Sequence, residues 1–245
     1  MQYVLITGAS GGVARALASK LQAQGQAIAL LGRDLTRLSE LEAAWKGAAE
    51  LSQEAGAEAA LDAVTQALGA PPAGIVHCVG STLIAPIQRT NEAQYRAVMA
   101  ANIDSAFFLA RAYVQQLTKA RAGGSLVLFS SVVAGTGVAN HAAIAAAKGA
   151  IESLTRSLAA DWSGLGIRVN CIAPGLMRTP MTERMVANEA SARQIAAQYP
   201  LGRHGEAADA AELAAFLVSP ASAWITGQVI GLDGGFSAVR PLVRS

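Results

Sequence analysis

The most constraining feature of this sequence is an alternation. Short apolar runs at Tyr3–Thr7, Ala27–Leu31, Ala48–Leu51, Gly74–Cys78, Ser125–Ser130, Ile167–Ile172 and Gln228–Leu232 are separated by longer, Ala-rich stretches. The first six runs each lead into helix-like sequence. Runs that are apolar at successive positions, rather than at alternate ones, hide both faces of a strand. Strands of that kind alternating with helices give a doubly wound parallel sheet in three layers, α/β/α. The third run is the weakest of the seven. Helices are expected over Asn91–Ala120 and Ile144–Trp162, the second with Leu154, Leu158 and Trp162 on one stripe. Residues 177–200 read as a helical flap, in which Met177, Met181 and Met185 recur at helical spacing. That stripe either packs on the body or lines an adaptable apolar pocket.

Composition narrows the function by exclusion. Hydrophobic residues make up 52% of the 245, enough for one large core, and no linker or repeat divides the chain, so residues 1–245 are expected to form a single domain. The formal net charge is +2, and Arg33, Arg37, Lys46, Arg89, Arg96, Arg111, Lys119 and Arg121 are scattered among acids. Nucleic acid is therefore not an expected partner, since that binding rests on concentrated positive charge. No apolar stretch of about 18 residues is free of Gly, Pro and charge, so no membrane span is expected. The opening Met1-Gln2-Tyr3-Val4 lacks the basic flank and cleavage site of a secretory leader. Cys78 and Cys171 are far apart and show no metal-ligand spacing. They read as reduced thiols of a cytoplasmic protein without a metal.

The segment Thr7-Gly8-Ala9-Ser10-Gly11-Gly12-Val13-Ala14 lies between the first strand and a helix. A backbone that must turn sharply and approach phosphates closely needs glycine there, and the helix N-terminus adds N–H donors and positive dipole. Gly8, Ser10, Gly12 and Val13 are the cofactor-binding candidates of this turn. Its wording resembles the TGxxxGxG signature of the short-chain dehydrogenase/reductase family, with Ala14 at the third glycine. The resemblance runs from Tyr3 to about Phe236 and is nearest in kind to 3-oxoacyl-ACP-reductase-like members. It implies a Rossmann fold, a nicotinamide dinucleotide cofactor, and hydride transfer between that cofactor and a carbonyl or alcohol.

The second strand ends in Leu30-Leu31-Gly32-Arg33-Asp34. An acid at the strand end would favour NAD by binding a ribose 2′-OH. Here Gly32 and then Arg33 stand at that place, and a guanidinium can clamp a 2′-phosphate. NADP(H) is expected over NAD(H), with Asp34 either repelling the phosphate in part or capping the next helix. The acid that the family places after strand three has no clean match near Glu50-Leu51-Ser52. The NNAG motif after strand four appears as His77-Cys78-Val79-Gly80, which keeps only the glycine. Cys78 and Gly80 remain candidates through their backbone, and His77 reads as a hydrogen-bonded core histidine.

The family's chemistry uses Asn, Ser, Tyr and Lys. The resemblance places three of these at Asn102, Ser131 and Lys148, the last also in contact with the cofactor ribose. The fourth is missing. One helical turn before Lys148, where the family has the proton-donating tyrosine, stands Ile144. Isoleucine cannot donate a proton. His141 is a candidate substitute because histidine is a common proton-transfer side chain, and Tyr199 is a second if its segment folds in. Ile172-Ala173-Pro174-Gly175-Leu176-Met177-Arg178-Thr179 resembles the turn that holds the nicotinamide carboxamide, and makes Pro174, Gly175, Met177 and Thr179 cofactor candidates. A small apolar carbonyl compound is the expected substrate, and a homotetramer or homodimer the implied assembly. A non-catalytic NADP-binding protein or partner subunit, or non-redox chemistry in the same cleft, are the alternatives that Ile144 leaves open.

Overall fold

The computed structural model describes residues 2–240. The chain runs β1 (Tyr3–Thr7), α1 (Gly12–Ala23), β2 (Ala27–Gly32), β3 (Trp45–Ala48), α2 (Glu54–Leu68), β4 (Gly74–His77), α3 (Glu92–Met99), α4 (Ser105–Ala120), β5 (Gly124–Phe129), α5 (Ala142–Trp162), β6 (Ile167–Pro174), β7 (Met177–Arg178), α6 (Glu189–Ala196), β8 (Gly205–Glu206), α7 (Ala207–Val218) and β9 (Val229–Leu232). Seven strands form one parallel sheet in the order β3-β2-β1-β4-β5-β6-β9, and β7 pairs with β8 apart from it.

The strand period shows in where the side chains go. Tyr3 and Leu5 of β1 enter a core that includes Leu61, Leu109, Tyr113, Leu126 and Ile151. Val4 and Ile6, one residue out of step, enter the opposite core with Leu17, Leu30, Val76 and Leu217. Helices α2, α4 and α5 cover the first face, α1 and α7 the second, as the doubly apolar runs require. Gly69, at φ +78, ends α2 in the left-handed conformation. An Asn91–Gln94 capping box starts α3. Strand order reverses between β1 and β4, so the loops after those strands diverge and leave a crevice at the carboxyl edge of the sheet. The glycine-rich turn, the Cys78–Gly80 loop and Ser131 all follow strands that end on that edge. Among the described residues no helix is long and apolar enough to cross a membrane.

Four expectations need correction. The third strand is Trp45–Ala48, not Ala48–Leu51. It is an edge strand, and its burial comes from the Trp45 indole lying across Gly47, where a Cβ would overlap the ring. The helix expected over Asn91–Ala120 is two helices joined by a π-helical turn at Ala100–Asp104. The buried face of α5 is Ile144, Ala147, Lys148, Ile151, Thr155, Ala159 and Trp162, with Leu154 and Leu158 at its margin. The methionines share no helix: Met177 is buried in β7, Met181 is exposed, and Met185 closes a single 3₁₀ turn. The segment 177–200 contains one eight-residue helix, α6.

The edge strand makes a stability prediction. Gly47→Val must push the Trp45 ring off its seat and is expected to cost about 1–3 kcal/mol in urea unfolding. A cost below a few tenths would mean that the Trp45 ring is not seated on Gly47.

Candidate functional site

The crevice begins with a backbone contact. Gly8 has φ +65, and a Cβ there would lie 2.8 Å from the Cys78 carbonyl and the Val79 nitrogen. Only glycine meets both conditions, the left-handed conformation and the close approach. The turn is laced by Ala9 N–H to Leu31 O (3.1 Å) and Gly11 N–H to Gly8 O (2.9 Å). Helix α1 follows with Gly12 and Val13. Its N-cap, Gly11, supplies no side chain, and no acid stands in its first turn. Its leading N–H groups are thus left for an anion. Arg15 closes the back of the turn, donating to Ser10 O (3.3 Å) and Arg37 O (2.9 Å).

Arg33 is exposed immediately past β2. Asp34 caps the following 3₁₀ turn, accepting from Thr36 N (2.9 Å) and Thr36 Oγ1 (2.7 Å), so its carboxylate is occupied by the chain itself. Glu50, past β3, is held below the usual carboxylate range, first by the Ser52 amide, with Arg33 adding to the effect.

Three sequence candidates converge at the bottom of the crevice. A Cβ on Gly80 would lie 3.0 Å from Asn102 Oδ1 and 3.4 Å from Lys148 Nζ. Asn102 sits in the π turn, which shifts its side chain out of helical register. Its Nδ2 donates to Val98 O (2.8 Å), Ser81 O (3.3 Å) and Ser81 Oγ (3.2 Å), while its Oδ1 accepts from Ser81 N (3.3 Å). Lys148 Nζ donates to Phe129 O at 2.8 Å. Burial pushes its pKa down to about 8, against smaller opposing effects of Cys171 and Cys78. Burial likewise lifts the thiols of both cysteines to about 12, which keeps them neutral.

The two serines after β5 divide their work. Ser131 is half-buried and caps the 3₁₀ turn Val132–Ala134 through its Oγ, which accepts from Val133 N at 3.4 Å. Ser130 is turned inward, bonding Lys148 O (3.1 Å) and Glu152 Oε1 (2.9 Å). Ser81, Ser130 and Glu152 were not anticipated from the sequence. Glu152 lies one helical turn past Lys148, and that spacing was the available signal.

Ile144 is 3% exposed, packed with Val98 and Ala147 under Leu83, Met99 and Val133. His141, at the N-cap of α5, directs Nδ1 to Ala139 O at 2.7 Å. A carbonyl only accepts, so Nδ1 is the donor of this contact. His141 lines an outer cavity of about 440 Å³ with Pro86, Ile87, Gln88, Val133, Val138 and Asn140 among others. Tyr199 is committed elsewhere: its hydroxyl accepts from Leu176 N at 2.8 Å and its ring packs on Phe236. That ring also fills the space beside Gly175, where a Cβ would lie 2.8 Å from it. Thr179 lies over the glycine-rich turn, its Cβ 3.1 Å from the position a Gly12 side chain would take. Its hydroxyl is 3.2 Å from Thr182 Oγ1.

Comparison with known proteins matches this chain over residues 8–237 to the family model described as enoyl-(acyl carrier protein) reductase. A tropinone reductase homologue of Arabidopsis thaliana is 31% identical, covering 95% of this chain and 91% of the relative. A Xanthobacter autotrophicus protein named inactive 2-(S)-hydroxypropyl-CoM dehydrogenase 2 is 36% identical, covering 88% and 96%. A gluconate 5-dehydrogenase from Burkholderia cenocepacia, solved with NADP and tartrate, superposes with a TM-score of 0.91 at 28% identity, covering 98% of this chain and 96% of that one.

The buried lysine makes stability depend on pH. Its folded pKa of about 8 lies below the ordinary 10.5, so between those values the unfolded chain binds the extra proton and raising the pH favours the folded state. Lys148→Met removes that dependence. Relative to wild type, the variant is expected to be more stable at pH 7 than at pH 10.5 by about 3 kcal/mol. Denaturant unfolding at several pH values checks this, and a difference that does not change with pH would contradict it.

Proposed function

The chain belongs to the short-chain dehydrogenase/reductase family, and on that premise we propose that it binds NADP(H) in preference to NAD(H) and interconverts a small apolar carbonyl compound and its alcohol. The observation that carries this reading is the convergence of Gly80, Asn102 and Lys148 beside the Gly8 cradle. The cradle would be filled by any side chain, and the uncapped start of α1 offers its N–H groups to a pyrophosphate. Gly8, Ser10, Gly12 and Val13 would hold the phosphates. Arg33 would hold the 2′-phosphate, and Cys78 and Gly80 the neighbouring ribose by their backbone. Lys148 would bind the nicotinamide ribose, and Pro174, Gly175, Met177 and Thr179 the carboxamide. When bound, the cofactor supplies or accepts hydride. The NADP-bound gluconate 5-dehydrogenase supports the choice of cofactor.

Ser131 orients the carbonyl oxygen in this reading, and Asn102 fixes the loop through Ser81. Ile144 contributes shape and no proton. General acid–base catalysis is worth about 3–5 kcal/mol of barrier, so turnover by the usual route is slow unless another group serves. His141, donating from Nε2–H as the imidazolium while Nδ1 stays on Ala139 O, or ordered water takes that part. The segment 177–200 acts as the flap of the cleft, which the seat of Thr179 against Gly12 supports. The fully exposed Trp224 and half-exposed Phe107 support a homo-oligomer, a homotetramer or homodimer.

A second reading is favoured by one observation, the burial of Ile144 in an apolar cluster with Val98 and Ala147. In it the protein binds the dinucleotide without turning it over, as an inactive partner subunit. The relative named as an inactive dehydrogenase supports this reading.

Two measurements test these readings. NADPH is expected to bind at least about tenfold more tightly than NADH, with Arg33→Ala abolishing most of the difference, on the scale of a charge-assisted contact. Equal affinities would overturn the cofactor preference. Ile144→Tyr is expected to raise carbonyl reduction about 10²-fold or more, and unchanged Vmax together with tight NADPH binding would leave the inactive reading standing.

A further inference from the structure

A buried chain of hydrogen bonds joins two parts of the crevice that are far apart in sequence. His77, at the end of β4, is 2% exposed. Its Nδ1 lies 2.8 Å from Thr7 Oγ1, and its Nε2 lies 3.1 Å from Ser105 Oγ. Ser105 Oγ in turn donates to Ala101 O at 2.9 Å. That last bond sets the direction of the others. A backbone carbonyl only accepts, so the Ser105 proton is spent on Ala101, and Ser105 Oγ can only accept from His77. His77 therefore carries its proton on Nε2, and its Nδ1 accepts from the Thr7 hydroxyl. Burial, and to a lesser extent Lys148, hold its pKa down at about 3. The imidazole stays neutral, with one donor and one acceptor, both used.

The two ends of this chain are specific places. Thr7 is the last residue of β1, directly before Gly8. Ala101 lies inside the π turn Ala100–Asp104, directly before Asn102. Ser105, the first residue after the π turn, bonds back over four residues to that carbonyl and so holds the turn from its C-terminal side. We propose that His77 is a positioning residue that couples the glycine-rich turn to the π turn presenting Asn102, so that ordering one end orders the other. An imidazole is suited to this because its two nitrogens point in different directions. An asparagine at 77 would present a polar group near the Thr7 end, and a glutamine one near the Ser105 end.

The test is whether a change at one end is felt at the other. Its binding arm rests on the cofactor reading above, and its exchange arm does not. In Thr7→Val, amide hydrogen exchange of residues 100–105 is expected to speed up although the substitution lies on β1. In Ser105→Ala, exchange at residues 8–12 is expected to speed up in the same way, which serves should the first variant fold poorly. Each variant is expected to raise the Kd for NADPH about fivefold, the scale of one neutral hydrogen bond. The double variant should do little more than either single one, because both break the same path. Ser125→Ala is the control. It removes a buried bond to Leu217 O at the opposite end of β5, and it should lower Tm while leaving the Kd and the exchange of both segments unchanged. A merely structural His77 would give local exchange changes and additive effects on Kd, and either result overturns the coupling. A wild-type protein that binds neither NADPH nor NADH would sink the cofactor reading, and the exchange data would still decide the coupling.

Discussion

Gly8 lies so near the Cys78 carbonyl that no side chain fits between them, and the crevice is organised by that contact. It fixes the separation of the loops after β1 and β4 at the point where the sheet changes direction. Once those loops are set, the positions of α1 and of Gly80 follow. Gly80 is in turn the residue against which Asn102 and Lys148 close, the first from the π turn and the second from α5. A dinucleotide cleft of this type is built from absences of side chains as much as from their presence. Gly8, Gly12 and Gly80 each leave room that a Cβ would take.

Around that frame the polar groups are fully engaged. Among the described residues, every buried side-chain nitrogen and oxygen has a hydrogen-bond partner. Lys148 is the costly member, because it is buried with a backbone carbonyl as its partner and no carboxylate. A chain optimised only for stability would not keep an ammonium there. Its retention beside Asn102 and Gly80, one turn from an isoleucine, separates two demands normally met together. On the proposed reading, the groups that would bind a cofactor are present, while position 144 carries a side chain that packs and moves no proton. Ile144 sits in a small buried apolar cluster among Val98, Ala147, Leu83 and Val133.

Much of this was legible in the sequence. Most strands lie where the apolar runs placed them, because a strand buried on both faces has few substitutes for Val, Ile, Leu and Ala. The glycine-rich turn was legible because its glycines answer to backbone geometry. The core reading of His77 also held, although its partners came from β1 and α4 and could not be read. The failures share a cause. The edge strand at Trp45–Ala48 owes its burial to one indole lying over one glycine, a pairing without periodicity. The π turn differs from an α-helix by one residue of register, which leaves no mark in composition. Met177, Met181 and Met185 kept helical spacing while lying in a strand, a loop and a 3₁₀ turn, because spacing alone does not make a helix.

The same distinction bears on which bonds hold the form of the site. Side chains whose partners are backbone atoms, such as Asn102 on Val98 and Ser81 or Lys148 on Phe129, are held whatever stands at position 144. Ser130 adds to this by fastening the Lys148 carbonyl and the Glu152 carboxylate to the end of β5. None of these bonds passes through Ile144. A tyrosine at that position would be supported by the frame without being needed to support it. On the proposed reading, the residue at 144 bears on proton transfer while these bonds stay in place. The binding geometry, being shared among several backbone contacts, has no comparable single point of failure except at the glycines.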